Sequence, residues 1–345
     1  MKWGIIGAGN IANKFAKTVN DMKQNSEDES LIAVAARDLE RAQTFAKEYG
    51  IPSACGSYAE MLELKEIEAV YIATPNNLHY EHTKMCLIAG KHVLCEKPFT
   101  MNADEAKELY ELAQEKGLFI MEAFWIRFLP VLQKMRSIIE RGEIGYVKYA
   151  RSEYAFIAKG ARRTRKFEAE LGGGALLDIG IYNLGFMQMI MGENPTSFTS
   201  HVHMNEFDTD DFSVINLMYG ANTSNVQRHL PEEDRAYEEN TSAYGVVTTS
   251  IGLSMERRAV IVGTEGMIEL PDFQKAESMR LQLNDGTEYE VNIPFDFTGF
   301  EYEIREVSRC VNSGKCASDI FTPEMSLGTL KLLDDIRESW KETRE

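Results

Sequence analysis

The sequence predicts an α/β protein: a doubly wound parallel sheet first, then a mostly antiparallel sheet in a second domain. Three observations carry this. The chain opens on a strand, a glycine turn and a helix, from Lys2 to Met22. Short apolar runs then alternate with helical patterns as far as Ala123, as in parallel strands joined by crossover helices. From Phe198 onward the segments shorten and alternate, and turns such as Asn284-Asp285-Gly286 separate them, which suits an antiparallel sheet. At 345 residues two domains are expected, bounded at 1–123 and 124–345, with closing helices in 300–345 free to pack back on the first.

Lys2 to Gly7 reads as a short buried strand. Gly7-Ala8-Gly9-Asn10-Ile11-Ala12 follows, and Ile11, Phe15, Val19 and Met22 continue it at helical spacing. In such a G-x-G-x-x-A turn the first glycine permits the tight bend and the second lets backbone approach a pyrophosphate. The small Ala12 lets helix and strand pack closely, and the helix N-terminus attracts phosphate charge. The next strand, Leu31 to Ala36, ends where a NAD site usually offers an acid to the ribose. Here Arg37 stands at that end, followed by Asp38 and Arg41. Asp38 suits the N-cap of a helix from Leu39 to Tyr49. Arg37 and Arg41 suit a 2′-phosphate, so NADP is expected before NAD. The alternative leaves both arginines in solvent and gives the ribose hydroxyl to Asp38.

The alternation continues through a short helix, Tyr58 to Leu64, and a strand, Ala69 to Ala73. Thr74-Pro75-Asn76-Asn77-Leu78-His79 is a polar turn, and a helix from His79 to Ala89 follows. The strand His92 to Cys95 runs straight into Glu96-Lys97-Pro98; then come a helix, Asn102 to Lys116, and a strand, Leu118 to Ala123. Pro98 stops its strand. Polar turns fall repeatedly at C-terminal strand ends, where open α/β sheets place their ligands. Alone, Lys97 at such an end reads as a solvated loop charge before it reads as a reagent.

Composition narrows the class. The net charge of −17 disfavours nucleic acid and acidic membrane surfaces as partners. Runs such as Glu27-Asp28-Glu29 and Glu232-Glu233-Asp234 read as solvated loops. The cysteines, Cys55, Cys86, Cys95, Cys310 and Cys316, are odd in number and scattered, which implies reduced thiols in the cytoplasm rather than a disulfide framework or a zinc site. No metal is expected, because no cluster has ligand spacing. The glycines near the N-terminus argue against a signal peptide, and no apolar run is expected to reach the roughly 18 residues of a membrane span.

Four stretches together resemble the glucose-fructose oxidoreductase / inositol dehydrogenase family of NAD(P)-dependent oxidoreductases. They are Gly7-x-Gly9-x-x-Ala12, Thr74-Pro75-Asn76-x-x-His79, Ala89-Gly90-Lys91-His92-Val93-x-x-Glu96-Lys97-Pro98 and Gly172-Gly173-Gly174-Ala175-Leu176-Leu177-Asp178. Met121 to Phe128 and Asp178-Ile179-Gly180-Ile181-Tyr182 are most similar to its dimeric dihydrodiol dehydrogenase branch. The resemblance implies an N-terminal Rossmann domain and a C-terminal α/β domain with a large, open, mostly antiparallel sheet. It implies a homodimer or higher homo-oligomer through that sheet, and a small-molecule substrate. It places Lys97 by the nicotinamide and allows a cis bond near Lys97-Pro98. It also brings Asn10, Ile11, Thr74, Pro75, Asn76, His79 and Glu96 to the cofactor side with the glycines and arginines above. The family often has Trp-Arg before the glycine triplet; Thr164-Arg165 stands there, so Arg165 is a candidate contact or one of a solvated basic group with Arg162, Arg163 and Lys166.

Asp178 and Tyr182 are four apart on the helix Ala175 to Met191, hence on one face. With the resemblance they become candidate catalytic groups beside Lys97. Taking a hydride from an alcohol also requires removing the hydroxyl proton. A phenol with its ordinary pKa of about 10 needs a nearby ammonium to serve. Lys97 can supply that, or bond the reacting oxygen itself, while Asp178 orients substrate hydroxyls or Lys97. Many family members carry histidine where Tyr182 stands. Trp125, Phe156 and Tyr154 are candidates for an apolar wall, or for core. The function expected is an NADP-preferring dehydrogenase or reductase for a cyclic or polyhydroxylated alcohol or carbonyl. A non-enzymatic nucleotide sensor and sugar hydrolysis through a bound NAD are the other readings. The polar stretch 230–244 is expected to be a long loop.

Overall fold

Parallel strands covered on both faces need apolar residues at nearly every position, and the first sheet obeys this in the computed structural model. The structure describes residues 1–160, 166–192, 194–220 and 242–342. The chain divides into two units, Met1–Trp125 with Asp296–Ser326, and Ile126–Phe295 with Leu327–Glu345. Within 300–345, then, the residues up to Ser326 group with the first unit and the remainder with the second.

The first unit contains β1 (Lys2–Ile6), α1 (Asn10–Gln24), β2 (Ser30–Ala35), α2 (Leu39–Tyr49), β3 (Ser53–Cys55), α3 (Tyr58–Leu62), β4 (Ala69–Ile72), α4 (His79–Ile88), β5 (His92–Glu96), α5 (Ala103–Lys116) and β6 (Ile120–Ala123). Its six strands pair in parallel in the order β3-β2-β1-β4-β5-β6. The order reverses between β1 and β4, the switch point at which such sheets bind ligands. α1 lays Ala12, Phe15, Ala16, Val19 and Met22 into the core. Phe15 stacks on Tyr71 of β4 at 3.9 Å between ring centroids.

The acidic run 27–29 is not a solvated loop as expected. Glu29 is buried and accepts from Trp3 Nε1 at 2.6 Å and from Ser308, while Glu27 pairs with Arg305 at 2.7 Å. The run 232–234 lies outside the described residues.

The second unit contains α6 (Pro130–Glu140), β7 (Val147–Ala155), α7 (Ile181–Met191), β8 (Ser197–Met204), β9 (Asp210–Tyr219), β10 (Ala243–Ser250), β11 (Ala259–Gly263), β12 (Gly266–Leu270), β13 (Ser278–Leu283) and β14 (Glu288–Asn292). The strands form one eight-stranded sheet, β14-β13-β12-β11-β7-β10-β9-β8, antiparallel except for the β7–β10 pair. The two closing helices are α8 (Glu301–Asn312) and α9 (Pro323–Glu342).

α7 is buried along its whole length and packs on β7 and β10. The helical stretch Ala169–Met191 is long and apolar enough to cross a membrane by length and composition alone, and its residues 172–191 are buried within the protein. Its apolar residues cover all sides because sheet and helices surround it, as for a core helix.

Candidate functional site

The first unit's site grows from the turn after β1. Gly7 has φ +99°, and a Cβ there would stand 2.8 Å from Ala73 O on the turn after β4, so only glycine lets the two turns approach. At Gly9 a Cβ would meet nothing within 4 Å, so the space over the turn is open. α1 begins at Asn10 with no side-chain cap and no acid in its first turn. Its free N–H groups suit an anion. Ala12 is fully buried, as close helix–strand packing requires.

A groove of about 460 Å³ continues from Ala8, Gly9 and Asn10 to Asp38, Arg41 and Thr44. Arg41 Nε donates to Ala8 O at 3.0 Å, which ties the arginine to the glycine turn. Asp38 caps α2, its Oδ1 accepting from Glu40 N at 3.0 Å and Arg41 N at 3.5 Å. Arg37 is exposed beside this groove's strand end. Glu40 and Glu48 line the same groove, so positive charge is confined to the arginine side.

Beneath these turns the polar residues support one another. Thr74 Oγ1 and His82 Nδ1 lie 3.0 Å apart, and Pro75 leads into the one-turn helix Asn76–Leu78, in which Asn76 is buried. His79, expected at the cofactor, is 1% exposed, with Nδ1 at 2.8 Å from Pro98 O and Nε2 at 2.9 Å from Thr74 O. Both ring nitrogens are taken by main chain. Burial outweighs the two carbonyls and, with Lys97 and His82 nearby, lowers the ring's pKa to about 4. Glu96 likewise turns inward. It accepts from Tyr71 Oη and, at 3.3 Å, from Lys97 N, and burial raises its pKa. The Lys97–Pro98 peptide is cis, and Lys97 itself is partly exposed at the strand end. Trp125 does not form an exposed wall. Its ring is 3% exposed, with Lys14 Nζ 3.9 Å from its centroid and the Phe300 ring 5.4 Å away.

The second unit's site grows from the glycine triplet. A Cβ at Gly173 would stand 2.7 Å from Glu168 O and 2.8 Å from Lys166 O, so the chain folds back too tightly for a side chain. Gly174 N donates to Lys166 O at 2.9 Å, and Asp178 N to Gly174 O at 3.1 Å. The helix then opens into a wide turn over Leu176–Gly180 before α7. Its bonds run i→i+5, so Asp178 and Tyr182 are separated by just under one turn and still share a face.

Lys166 Nζ pairs with the Asp178 carboxylate and sits 5.2 Å over the Phe156 ring. Tyr154 stands 6.0 Å from Tyr182 and 6.4 Å from Phe156, ring to ring. Burial, then the charge of Asp178, pushes the Tyr154 phenol up to about 12, so it stays protonated. Arg257 lies 5.9 Å over the Tyr154 ring and pairs with Asp272 at 2.7 Å.

In this unit Asp178, Tyr182 and Phe156 are therefore brought together. Lys166 joins them, although in sequence it reads only as part of a basic cluster. Its signal was present, since a lysine just before a glycine fold-back must lie near whatever follows the glycines. Arg165 lies outside the described residues, with Arg162 and Arg163, as does most of the stretch 230–244.

A family model described as "Oxidoreductase family, NAD-binding Rossmann fold" matches residues 1–124, and the "GFO/IDH/MocA C-terminal domain" matches 132–269. Trans-1,2-dihydrobenzene-1,2-diol dehydrogenase of Xenopus tropicalis is 33% identical over 344 residues, covering 97% of this chain and 96% of that one. The enzyme of that name from Bos taurus is 34% identical over 348 residues, covering 98% and 95%. Among solved structures, levoglucosan dehydrogenase in complex with NADH and levoglucosan superposes with TM-score 0.82 at 21% identity, covering 99% and 97%. KijD10, a 3-ketoreductase from Actinomadura kijaniata in complex with NADP and TDP-benzene, gives 0.80 at 24% identity, covering 98% and 97%. These two share the fold of this chain.

Proposed function

The chain belongs to the GFO/IDH/MocA oxidoreductase family, with its NAD(P)-binding Rossmann domain, and from that premise we propose an NADP-preferring enzyme for cyclic or polyhydroxylated alcohols and carbonyls. The observation that carries this reading is the Asp178–Lys166 pair beside Tyr182, Tyr154 and Phe156. It combines a polar group for hydroxyls, a phenol for a proton and ring faces for an apolar edge. The diol dehydrogenase relatives support the same substrate class.

The cofactor would be held by the Gly7–Ala12 turn and the N-terminus of α1, with Arg37 and Arg41 at the 2′-phosphate. When bound, it supplies or accepts the hydride. The chain's own residues handle the proton. Tyr182 takes it from an alcohol or gives it to a carbonyl, and the Lys97 ammonium stabilises the oxygen that changes charge. Asp178, held by Lys166, orients the substrate's neighbouring hydroxyl. The Lys166 ammonium pairs with the Asp178 carboxylate and so fixes its position.

A panel of diols, aldoses, inositols and dicarbonyls, followed by NADPH absorbance, tests the reading. No turnover by any of them despite tight NADPH binding would defeat it. Arg37→Ala is expected to weaken NADPH about 10- to 100-fold and NADH little, the loss of one charge-assisted contact of ~1.5–3 kcal/mol. Equal losses for both cofactors, measured by fluorescence titration, would remove the 2′-phosphate clamp. That Asp38 Oδ1 is engaged on the α2 N-terminus supports this preference.

A homodimer through the second unit's sheet is part of the same proposal. Its support is a row across five strands, Met218, Tyr244, Tyr149, Val262 and Met267 in register, in which Met218 is 40% and Tyr244 53% exposed. Contiguous exposed apolar side chains of this kind favour association. Light scattering is expected to give about twice the chain mass of 39.1 kDa; a monomer mass would end this part. A cytoplasmic location is supported by the cysteines, all of which are free thiols.

A further inference from the structure

Two adjacent side chains at the start of β9 reach both segments that carry the Asp178–Lys166 pair. Thr209 Oγ1 donates to Phe167 O at 2.8 Å and is itself held by Asn205 Nδ2 at 2.7 Å. Phe167 follows Lys166 directly. Asp210 Oδ2 accepts from Leu176 N at 2.7 Å, two residues before Asp178. Its other oxygen stands 2.5 Å from where a Cβ on Gly174 would lie, so the glycine makes room for the carboxylate. Both side chains are 5% exposed.

The first N–H groups of a helix have no helical acceptor, and a buried one needs a partner. Asp210 supplies it at the turn that aims Asp178 and Tyr182. A carboxylate also complements the positive end of the helix. A carboxyl this buried is otherwise costly, so its presence here needs a return. Tertiary contacts could have met the same N–H with a serine or a main-chain carbonyl at less cost.

We propose that Thr209–Asp210 is the positioning element of the second unit's site, clasping the Lys166 segment and the Asp178 helix so that Asp178 and Tyr182 hold their working geometry. This rests on the reading that Asp178 and Tyr182 serve the reaction. Neither residue of the clasp touches substrate; both act through what they hold.

The clasp carries a pH signature. Burial raises the Asp210 pKa to about 6, against the pull of Leu176 N and Arg337. The charged groups around it are Arg337 on α9, Asp211 beside it on β9, His203 on β8, paired with Asp211 at 2.6 Å, and the Lys166–Asp178 pair on the segments it clasps. A raised carboxyl pKa means that the folded state binds the proton more tightly. Asp210 protonation thus adds stability below about pH 3.8, and that contribution disappears as pH rises through about 6. The effect on catalysis has the opposite sign, since the ionised carboxylate is the stronger clasp. Activity is expected to fall as pH drops through about 6.

The test uses the full chain carrying D210A, D210N, T209V, H203Q or Y182F, with the best substrate of the panel above and NADPH titrated separately. D210A is expected to lower kcat 10- to 100-fold, with NADPH affinity within twofold of wild type. D210N keeps an acceptor oxygen and is expected to restore at least a third of kcat at pH 8, but with no acid limb near pH 6. T209V, a near-isosteric change that leaves the buried carboxylate and its bond to Leu176 N in place, is expected to lower kcat several-fold at unchanged KM, and H203Q to keep the limb. An inactive Y182F together with D210A and D210N that match wild type in kcat and pH profile would overturn the inference alone. A fully active Y182F would overturn the reading beneath it, and the inference with it. A loss confined to melting temperature, with kcat per folded molecule unchanged, would make the clasp structural and likewise overturn it.

Discussion

Lys97→Met is expected to lower kcat by ~10²–10⁴-fold, the range for a positioned group acting on a transferred proton, while NADPH affinity stays within about threefold of wild type. Methionine keeps most of the lysine stem and removes only the ammonium. The turn that carries it is fixed by other groups. Glu96 accepts from Lys97 N, Pro98 O faces His79 Nδ1 at 2.8 Å, and Phe99 N donates to Glu122 Oε1 at 3.2 Å. These contacts involve main chain and survive the substitution. A drop in activity therefore reports the lost charge and not a collapsed turn. Stopped-flow single turnovers at saturating NADPH would separate the chemical step from binding. Turnover within threefold of wild type would take Lys97 out of the mechanism.

Tyr182→Phe is expected to reduce kcat by a comparable ~10²–10⁴-fold with KM changed less than about threefold. Only an oxygen is removed, and the ring still packs 6.0 Å from Tyr154. Stability is expected to change by less than ~1.5 kcal/mol, as for volume-conserving swaps and single hydrogen bonds. The pH profile adds a second readout. If Tyr182 moves the proton, the residual activity of the variant should lose the pH dependence of the group that replaced water as acid and base. A variant altered in KM alone would make Tyr182 a binding residue and would point to Lys97 as the proton carrier.

The parts of this molecule legible in sequence were those set by local rules. The parallel sheet could be read because strands such as β4 and β5 are apolar runs with turns at both ends. The glycine turn could be read because close backbone approach leaves few residue choices, and Gly7 beside Ala73 O shows the constraint at work. Asp38 was placed as a cap by its position before an amphipathic run, and the structure has it capping α2.

What escaped depends on tertiary contact. A polar side chain near a ligand turn looks the same in sequence whether it faces the ligand or supports the turn from below. His79 and Glu96 are of the second kind, each engaged by groups brought together only by folding. Trp125 was an aromatic at a domain boundary, and nothing local says that Lys14 and Phe300 cover it. Lys166 was hidden in a basic run because its partner lies across the glycine fold-back. Asp210 was hidden in an Asp-Asp pair at a strand start, where two charges ordinarily mean solvent.

The buried state of α7 bears on how the protein can change. Each of its residues is enclosed, so a replacement anywhere along Ile181–Met191 disturbs close packing. The neighbouring segments beyond β7 and β10 are different: Ile157 is 48% and Leu253 49% exposed, and Ala158 N donates to Ile251 O to join them. Exposed positions thus stand beside a helix that tolerates little change. On the proposed function, retargeting would run through Ile157 and Leu253, while Ala158 and Ile251 stay fixed in the core with α7. A library at Ile157 and Leu253 samples new side chains at little cost in folding, whereas one that includes Ala158, Ile251 or α7 disturbs packed core.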